Sequence, residues 1–292
     1  MNRPKLILLV GIPGSGKTTY AENYIPDYPK ESKHLSSDLI RAELYGNESI
    51  QGNPAEVFSL MQKRAVEALN EGYDVIYDAT NITRKDRASI IGICPKFAKI
   101  EAHIIWAPIE ICIERDSKRD RTVGKEVIDR MLKRFQAPFF DEGIEEIKVI
   151  LPSNFDTSEY RLQCMNNMMI PHDNPHHILD IYEHCIEANK YLTFYVKNKD
   201  DDIDKASFFH DIGKPYVKAF IDGKGNPCEH AHYYQHQCVG AYMSYGMGCS
   251  IKTAWLISVH MDVYLNTKYY NKLPQWLKKD VDILHEADIA AH

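Results

Sequence analysis

The apolar run Leu6 to Val10 breaks at Gly-Ile-Pro-Gly, which predicts a short, fully buried strand, a loop, and a helix from about Lys17. The stretch "AEVFSLMQKRAVEALNEGY" carries apolar residues at helical spacing with a glycine stop, and "DVIYDATN" then reads as a second kind of buried strand. The alternation continues: "RKDRASIIGIC" helix, "IEAHIIWAP" strand, "IEICIERDSKR" helix, and "VIDRMLKRFQAPFF" a helix ending near Pro138. Strands alternating with helices imply a parallel sheet flanked by helices, an α/β domain over residues 1–150.

From about Leu151 the pattern changes. Residues 151–170 mix turn residues with weak periodicity and read as a linker or docking segment. Residues 171–292 are predicted as an all-α domain built from "ILDIYEHCIEANKYLTFYV", "DKASFFHDIG", "QHQCVGAYMSYGM", "IKTAWLISVHMDVYL" and "VDILHEADIAAH".

Composition narrows the setting. With 44% hydrophobic and 26% charged residues, the chain has the make-up of a soluble globular protein, and 292 residues favour two domains. No apolar run approaches a membrane span, and the opening residues read as a buried strand rather than a signal peptide. Seven scattered cysteines without a C-x-x-C pair fit a reducing cytoplasm. Residues 1–150 hold 22 Lys and Arg against 23 Asp and Glu, and the rest 13 against 18, a balance unsuited to tight non-specific duplex binding. A strand end at a small basic patch remains compatible. Eleven of the thirteen histidines follow residue 171.

"GIPGSGKT" matches G-x-x-x-x-G-K-[ST] between a predicted strand and a predicted helix, which makes it a P-loop for ATP or another nucleoside triphosphate with Mg²⁺. Gly11, Gly14 and Gly16 let the backbone, with Ser15 and Thr19, approach phosphate; Lys17 bridges β- and γ-phosphates, and Thr18 offers a hydroxyl to Mg²⁺. In "HLSSDLIRAEL", Asp38 and Arg41 lie one helical turn apart on one face. Spacing alone leaves two readings: a general base with a phosphate-holding arginine, or an N-cap aspartate with a surface arginine.

"GIPGSGKTTYAENYI", "SSDLIRAEL", "VIYDATNITRKDR" and "ERDSKRDRTVGKEVIDRML" together resemble the kinase domain of bacteriophage polynucleotide kinases, over roughly the first 150 residues. The resemblance implies Asp38 as general base, Arg41 as ligand of the acceptor phosphate, and Arg115 and Arg119 as lid arginines on the triphosphate, Arg119 with a catalytic role. Where that family has D-T-N, this chain has Asp78-Ala79-Thr80-Asn81, so Asp78 is either an outer-sphere partner of Mg²⁺ or structural.

The second half gathers metal-type ligands: His184 in "YEHC", His210-Asp211 in "FFHDIGKP", His236, His260 and Asp288. Four imidazoles and two carboxylates suit two first-row divalent metals, Mn, Fe, Co or Ni, with Asp211 bridging. "NPHHILDIYEH", "FFHDIGKP" and "HYYQHQCVGA" resemble, in order, the HD phosphohydrolase domains of tRNA nucleotidyltransferases. The resemblance implies His184, His210, Asp211 and Asp288 as core ligands, with His236 and His260 added for a second metal. Asp262 and Asp282 are alternatives to Asp288, and Lys214 meets a substrate phosphate or caps a helix turn. For His176, His177, His230, His232 and His285 the alternatives are ligands or phosphate contacts and, favoured, surface or hydrogen-bonded histidines; His34 and His103 carry no assigned role.

The combined expectation is a kinase–HD end-healing enzyme. It would phosphorylate 5′-hydroxyl ends of RNA or DNA, remove 3′-phosphate or 2′,3′-cyclic phosphate, and supply a downstream ligase. Two other readings stand: a nucleoside-type small-molecule kinase fused to a nucleotide phosphohydrolase, and a nucleotide-sensing binding module.

Overall fold

The computed structural model describes residues 3–24, 31–175, 178–197 and 200–291, and the chain divides into two compact units. One comprises Met1–Met131 and Pro138–Ser153, the other Leu132–Ala137 and Asn154–His292. His176 and His177 lie outside the described residues.

In chain order the first part holds β1 (Lys5–Val10), α1 (Lys17–Glu22), β2 (Ser32–Ser36), α2 (Ser37–Tyr45), α3 (Pro54–Asn70), β3 (Asp74–Asp78) and α4 (Arg84–Ile91). It continues with β4 (Lys99–Ile105), α5 (Ile109–Ser117), α6 (Lys125–Leu132) and β5 (Glu146–Ile150). The five strands form one parallel sheet in the order β2-β3-β1-β4-β5. Leu6 to Val10 are wholly inaccessible, as an apolar run covered on both faces requires. In such sheets ligands meet the carboxyl ends of the strands, and the P-loop follows β1 there, with β2 and β3 ending at Ser36 and Asp78. The predicted helix up to Pro138 is shorter than expected. α6 stops at Leu132, and Phe135 instead packs edge-on to Tyr242 and Tyr245, so tertiary packing overrides the helical period.

At the opposite end of β4, Glu101 is buried. Lys99 Nζ lies 2.8 Å from Oε1 and Lys5 Nζ 3.2 Å; His103 Nε2 lies 3.1 Å from Oε2. His103 is itself buried and its Nδ1 meets the Tyr20 hydroxyl at 2.9 Å, a structural place for a histidine with no assigned role. Burial pushes the Glu101 carboxyl up, but His103, Lys99, Lys5 and Lys148 outweigh it and hold the group far below the usual carboxylate range. A depressed folded-state pKa contributes stability above the unfolded value, about 4.3, and loses it as pH falls below that value. Glu101→Gln therefore lowers the thermal midpoint at pH 7 and flattens its decline between about pH 5 and 3, measured by calorimetry. A midpoint equal to wild type at pH 7 with an unchanged acid slope contradicts this role.

The second part holds α7 (Thr157–Asn167), α8 (Ile181–Tyr195), α9 (Asp201–Phe209), α10 (Lys214–Val217), β6 (Ala219–Ile221), β7 (Pro227–His232) and α11 (His236–Gly246). Then come α12 (Ile251–Val259), α13 (Asp262–Leu265), α14 (Thr267–Tyr270) and α15 (Gln275–Ala290). The segment read as a linker contains α7, capped by Asp156, whose side chain accepts from Ser158 N and Glu159 N. Its Arg161 donates to the Met247 carbonyl at the end of α11.

An all-helical second half is corrected by the antiparallel pair β6 and β7. Its turn is closed by Asp222, whose Oδ1 accepts from Lys224 N at 2.8 Å and Asn226 N at 2.9 Å. The stretches "DKASFFHDIG" and "IKTAWLISVHMDVYL" are also not continuous helices. α9 stops at Phe209 and α12 at Val259, leaving His210 and His260 at the helix C-caps. Gly213 explains the tight turn after His210: a Cβ there would lie 2.2 Å from the His236 carbonyl oxygen and 2.6 Å from Gly240 N.

Candidate phosphoryl-transfer site and candidate metal centre

In the P-loop, Gly14 has φ +80, and a Cβ on it would fall 2.2 Å from the Cys112 carbonyl oxygen. Gly11 N donates to Thr80 O at 3.1 Å, tying the start of the loop to the residues after β3. Lys17 Nζ donates back to Ile12 O at 2.9 Å. Burial pushes Lys17 down to about 8, against the pull of Asp78. Ser15 is 4% exposed, and among the described residues its Oγ has no hydrogen-bond partner, so this hydroxyl is available to a phosphate oxygen. Thr18 Oγ1 donates to Asp78 Oδ2 at 3.2 Å, and His34 Nε2 lies 3.2 Å from the same oxygen. Asp78 therefore stands behind the Thr18 hydroxyl, and His34 meets the same carboxylate from β2. Thr18 and Thr19 are exposed at the start of α1.

Asp38 sits in the first turn of α2, and the cap is Ser36, whose hydroxyl accepts from Asp38 N. The carboxylate is thus not occupied as an N-cap. It is paired with Arg41, and Arg121 Nη1 reaches Asp38 Oδ1 at 3.2 Å. The Asp38 side chain is 51% exposed, while Arg41 Nε is buried without a hydrogen-bond partner among the described residues. Arg115 Nη1 lies 3.4 Å from Gly14 O over the P-loop. Arg119 is close enough for its charge to lower Lys17. All these residues belong to the first unit.

In the second unit His184 from α8, His210 and Asp211 after α9, His236 at the start of α11, His260 after α12 and Asp288 from α15 converge. His184, His210 and Asp211 form one ligand group, and Asp211, His236 and His260 another, with Asp211 common to both. Asp288 Oδ1 lies 3.0 Å from His184 Nε2 and 3.3 Å from His210 Nε2, whereas Asp282 accepts from the Tyr270 hydroxyl. Asp262, at the start of α13, is in neither ligand group.

Each imidazole turns Nδ1 toward a backbone carbonyl. The partners are Ala291 at 3.3 Å for His184, Ser207 at 2.8 Å for His210, Tyr233 at 2.9 Å for His236 and Ile257 at 2.8 Å for His260. Nδ1–H donating outward leaves Nε2 as the inward lone pair. Two such nitrogens then face each other at 3.3 Å (His184 and His210) and at 3.1 Å (His236 and His260). Facing lone pairs repel unless a proton or a metal ion is shared between them.

Asp211 Oδ2 is buried, and the charge facing it is the Lys214 ammonium, with Nζ 2.6 Å away. Burial pushes His210 down, yet Asp211 and Asp288 outweigh it and raise it well above the ordinary value; burial pushes Asp211 up, yet Lys214 and His210 hold it well below. Both shifts express the pairing of His210, Asp211 and Lys214, whereas burial, with His236 and His210, pushes His260 down to about 3. The donor set fits divalent first-row metals in imidazole–carboxylate sites.

Lys214 is 7% exposed, with Nζ 2.6 Å from Asp211 Oδ2 and 3.2 Å from His172 Nε2. His172, which sequence reasoning missed, is buried and turns Nδ1 to Leu179 O at 2.8 Å; burial first, then Lys214, pushes it down to about 4. His232 stacks on Tyr234 and His285 packs on Tyr264, both outside the ligand groups, as is His230 on β7.

Residues 6–138 match a family of known proteins described as an AAA domain. Over 149 residues the chain is 26% identical to the transcription factor bHLH140 of Arabidopsis thaliana, covering 49% of this chain and 15% of that protein. Over 138 residues it is 27% identical to the L-seryl-tRNA(Sec) kinase of Methanococcus maripaludis, covering 46% of this chain and 53% of that protein. The chain thus spans about half, or less, of the curated relatives it matches. Among solved structures, a chain of the Pnkp1/Rnl/Hen1 RNA repair complex is similar at 23% identity and a TM-score of 0.42, over 46% of this chain and 44% of that one. The first unit is a P-loop α/β domain with a five-stranded parallel sheet. Among the described residues, no helix is long and apolar enough to cross a membrane.

Proposed function

We propose that this chain heals nucleic-acid ends, phosphorylating a 5′-hydroxyl with its P-loop unit and clearing a 3′-phosphate or 2′,3′-cyclic phosphate with its histidine-rich unit. The observation that carries this reading is the pairing, in one chain, of two residue clusters suited to phosphate chemistry. One is a P-loop with a carboxylate bracketed by two arginines; the other is a buried four-histidine, two-carboxylate cluster. Similarity to a curated kinase supports phosphoryl transfer by the first. The half-exposed Asp38 side favours a polymer end over an enclosed small molecule.

In the first reaction Asp38 takes the proton of the attacking 5′-hydroxyl as the new O–P bond forms and the bond from the γ-phosphorus to the β,γ-bridging oxygen breaks, releasing ADP. Lys17, Arg115 and Arg119 stabilise the charge on the transferring group, and Arg41 holds the acceptor's phosphate. Thr18, backed by Asp78, would hold Mg²⁺, which neutralises charge on the phosphates when bound. In the second reaction Lys214 contacts the phosphate oxygens of the end being cleared. His184, His210, Asp211, His236, His260 and Asp288 would hold two divalent ions, which when bound supply Lewis-acid activation of phosphoryl oxygen and water.

Transfer of labelled γ-phosphate is compared between 5′-hydroxyl RNA, 5′-hydroxyl DNA and free nucleosides. Labelling of a polynucleotide at least tenfold above nucleosides at equal concentration supports the reading, and labelling of nucleosides alone overturns it.

A further inference from the structure

The connection from α5 to α6 carries Arg119 and Arg121, and a buried carboxylate at the end of α5 holds its far end. Asp116, in the last turn of α5, is 2% exposed. Its carboxylate accepts from Val123 N at 3.0 Å and from Gly124 N at 2.9 Å, both on Oδ2, with Oδ1 3.2 Å from Val123 N. Gly124 has φ +86, the left-handed turn that aims two successive N–H groups at one anion. Arg119 N donates to the Asp116 carbonyl at 3.1 Å, so the same residue also fixes the outgoing strand of the loop.

The loop carries its two arginines toward different partners. Arg119 bears on Lys17 at the donor, while Arg121 Nη1 reaches Asp38 Oδ1 at 3.2 Å on the acceptor side. Arg115, one residue before Asp116, reaches Gly14 O. We propose that Asp116 is a positioning residue for phosphoryl transfer. By tying Val123 and Gly124 to the end of α5 it sets the reach of Arg119 to the γ-phosphate and of Arg121 to Asp38. This inference rests on reading the first unit as a phosphotransferase. The competing role is purely structural, a carboxylate steadying the start of α6.

The two roles separate in nucleotide discrimination. A lid arginine that meets the γ-phosphate favours ATP over ADP, whereas a fold-stabilising aspartate affects both alike. ATP and ADP affinities with Mg²⁺ are measured by calorimetry for wild type, Asp116→Ala, Arg119→Ala and the double variant, with thermal midpoints on the same samples. Loss of a charge-assisted contact to the γ-phosphate corresponds to roughly a tenfold fall in the ATP/ADP affinity ratio. We expect that fall in Asp116→Ala and no further fall when it is added to Arg119→Ala, since one acts through the other. Asp116→Asn, which keeps the volume and a carbonyl acceptor, gives an intermediate ratio should the alanine variant not fold. A lowered midpoint with an unchanged ratio, or additive losses in the double variant, overturns the proposal. A ratio unmoved by Arg119→Ala overturns this inference alone, whereas absence of γ-phosphate transfer by the wild type overturns the phosphotransferase reading.

Discussion

Asp38→Asn lowers γ-phosphate transfer to a 5′-hydroxyl end by about 10²- to 10⁴-fold, while ATP affinity stays within roughly twofold of wild type. The asymmetry follows from where the residue sits. Asp38 stands at the start of α2, beyond the end of β2, paired with Arg41 and Arg121 and not with the P-loop backbone. Asparagine keeps the shape but cannot accept the hydroxyl proton, so the loss falls on the chemical step. The proposed nucleotide contacts of Lys17, Ser15 and Arg115 are left in place by the substitution. Transfer near the wild-type rate in Asp38→Asn sinks the base assignment. Loss of ATP binding together with transfer instead assigns Asp38 to the donor side.

Asp211→Asn abolishes 3′-end clearing and weakens loading of divalent metal, with the 5′-kinase within about twofold of wild type. Asp211 is the residue common to both ligand groups, with Oδ1 3.1 Å from His236 Nε2 and Oδ2 3.6 Å from His184 Nε2. A neutral amide cannot serve both groups as an anionic bridge. It also leaves Lys214 and His210 without their counter-charge, and breaking a buried pair costs about 3–5 kcal/mol, so the midpoint of the second unit falls as well. Bound Mn²⁺ or Ni²⁺ measured by elemental analysis separates these effects. Full metal content with lost clearing would place Asp211 on substrate rather than metal. Unchanged clearing would remove it from the site.

The reach of sequence reasoning follows the range of the interactions involved. Leu6 to Val10 and the P-loop are local: apolar run, glycine turn and helix start follow each other within the stretch that folds. The six metal-type ligands were legible by type and order, and the structure brings Asp288 rather than Asp282 to His184 and His210. Arg121 was not legible. The stretch holding Arg115 and Arg119 reads as one helix, but α5 ends at Ser117, and beyond it Gly124 N returns to Asp116 and Arg121 reaches Asp38. His172 gave no signal because its role depends on Lys214, forty-two residues away. His210 and His260 stand at helix C-caps rather than within helices; after His210 the turn depends on the close approach of Gly213 to α11, a tertiary contact.

The most direct test of the central claim is the mass of one oligonucleotide before and after reaction. A short RNA with a 5′-hydroxyl and a 2′,3′-cyclic phosphate is incubated with the protein, ATP, Mg²⁺ and Mn²⁺, and the product ends are read by mass spectrometry. The account predicts a product with a 5′-phosphate and free 2′- and 3′-hydroxyls, with Asp38→Asn blocking only the first change and Asp211→Asn only the second. A wild-type protein that binds ATP yet leaves both ends of RNA and DNA substrates unaltered contradicts it.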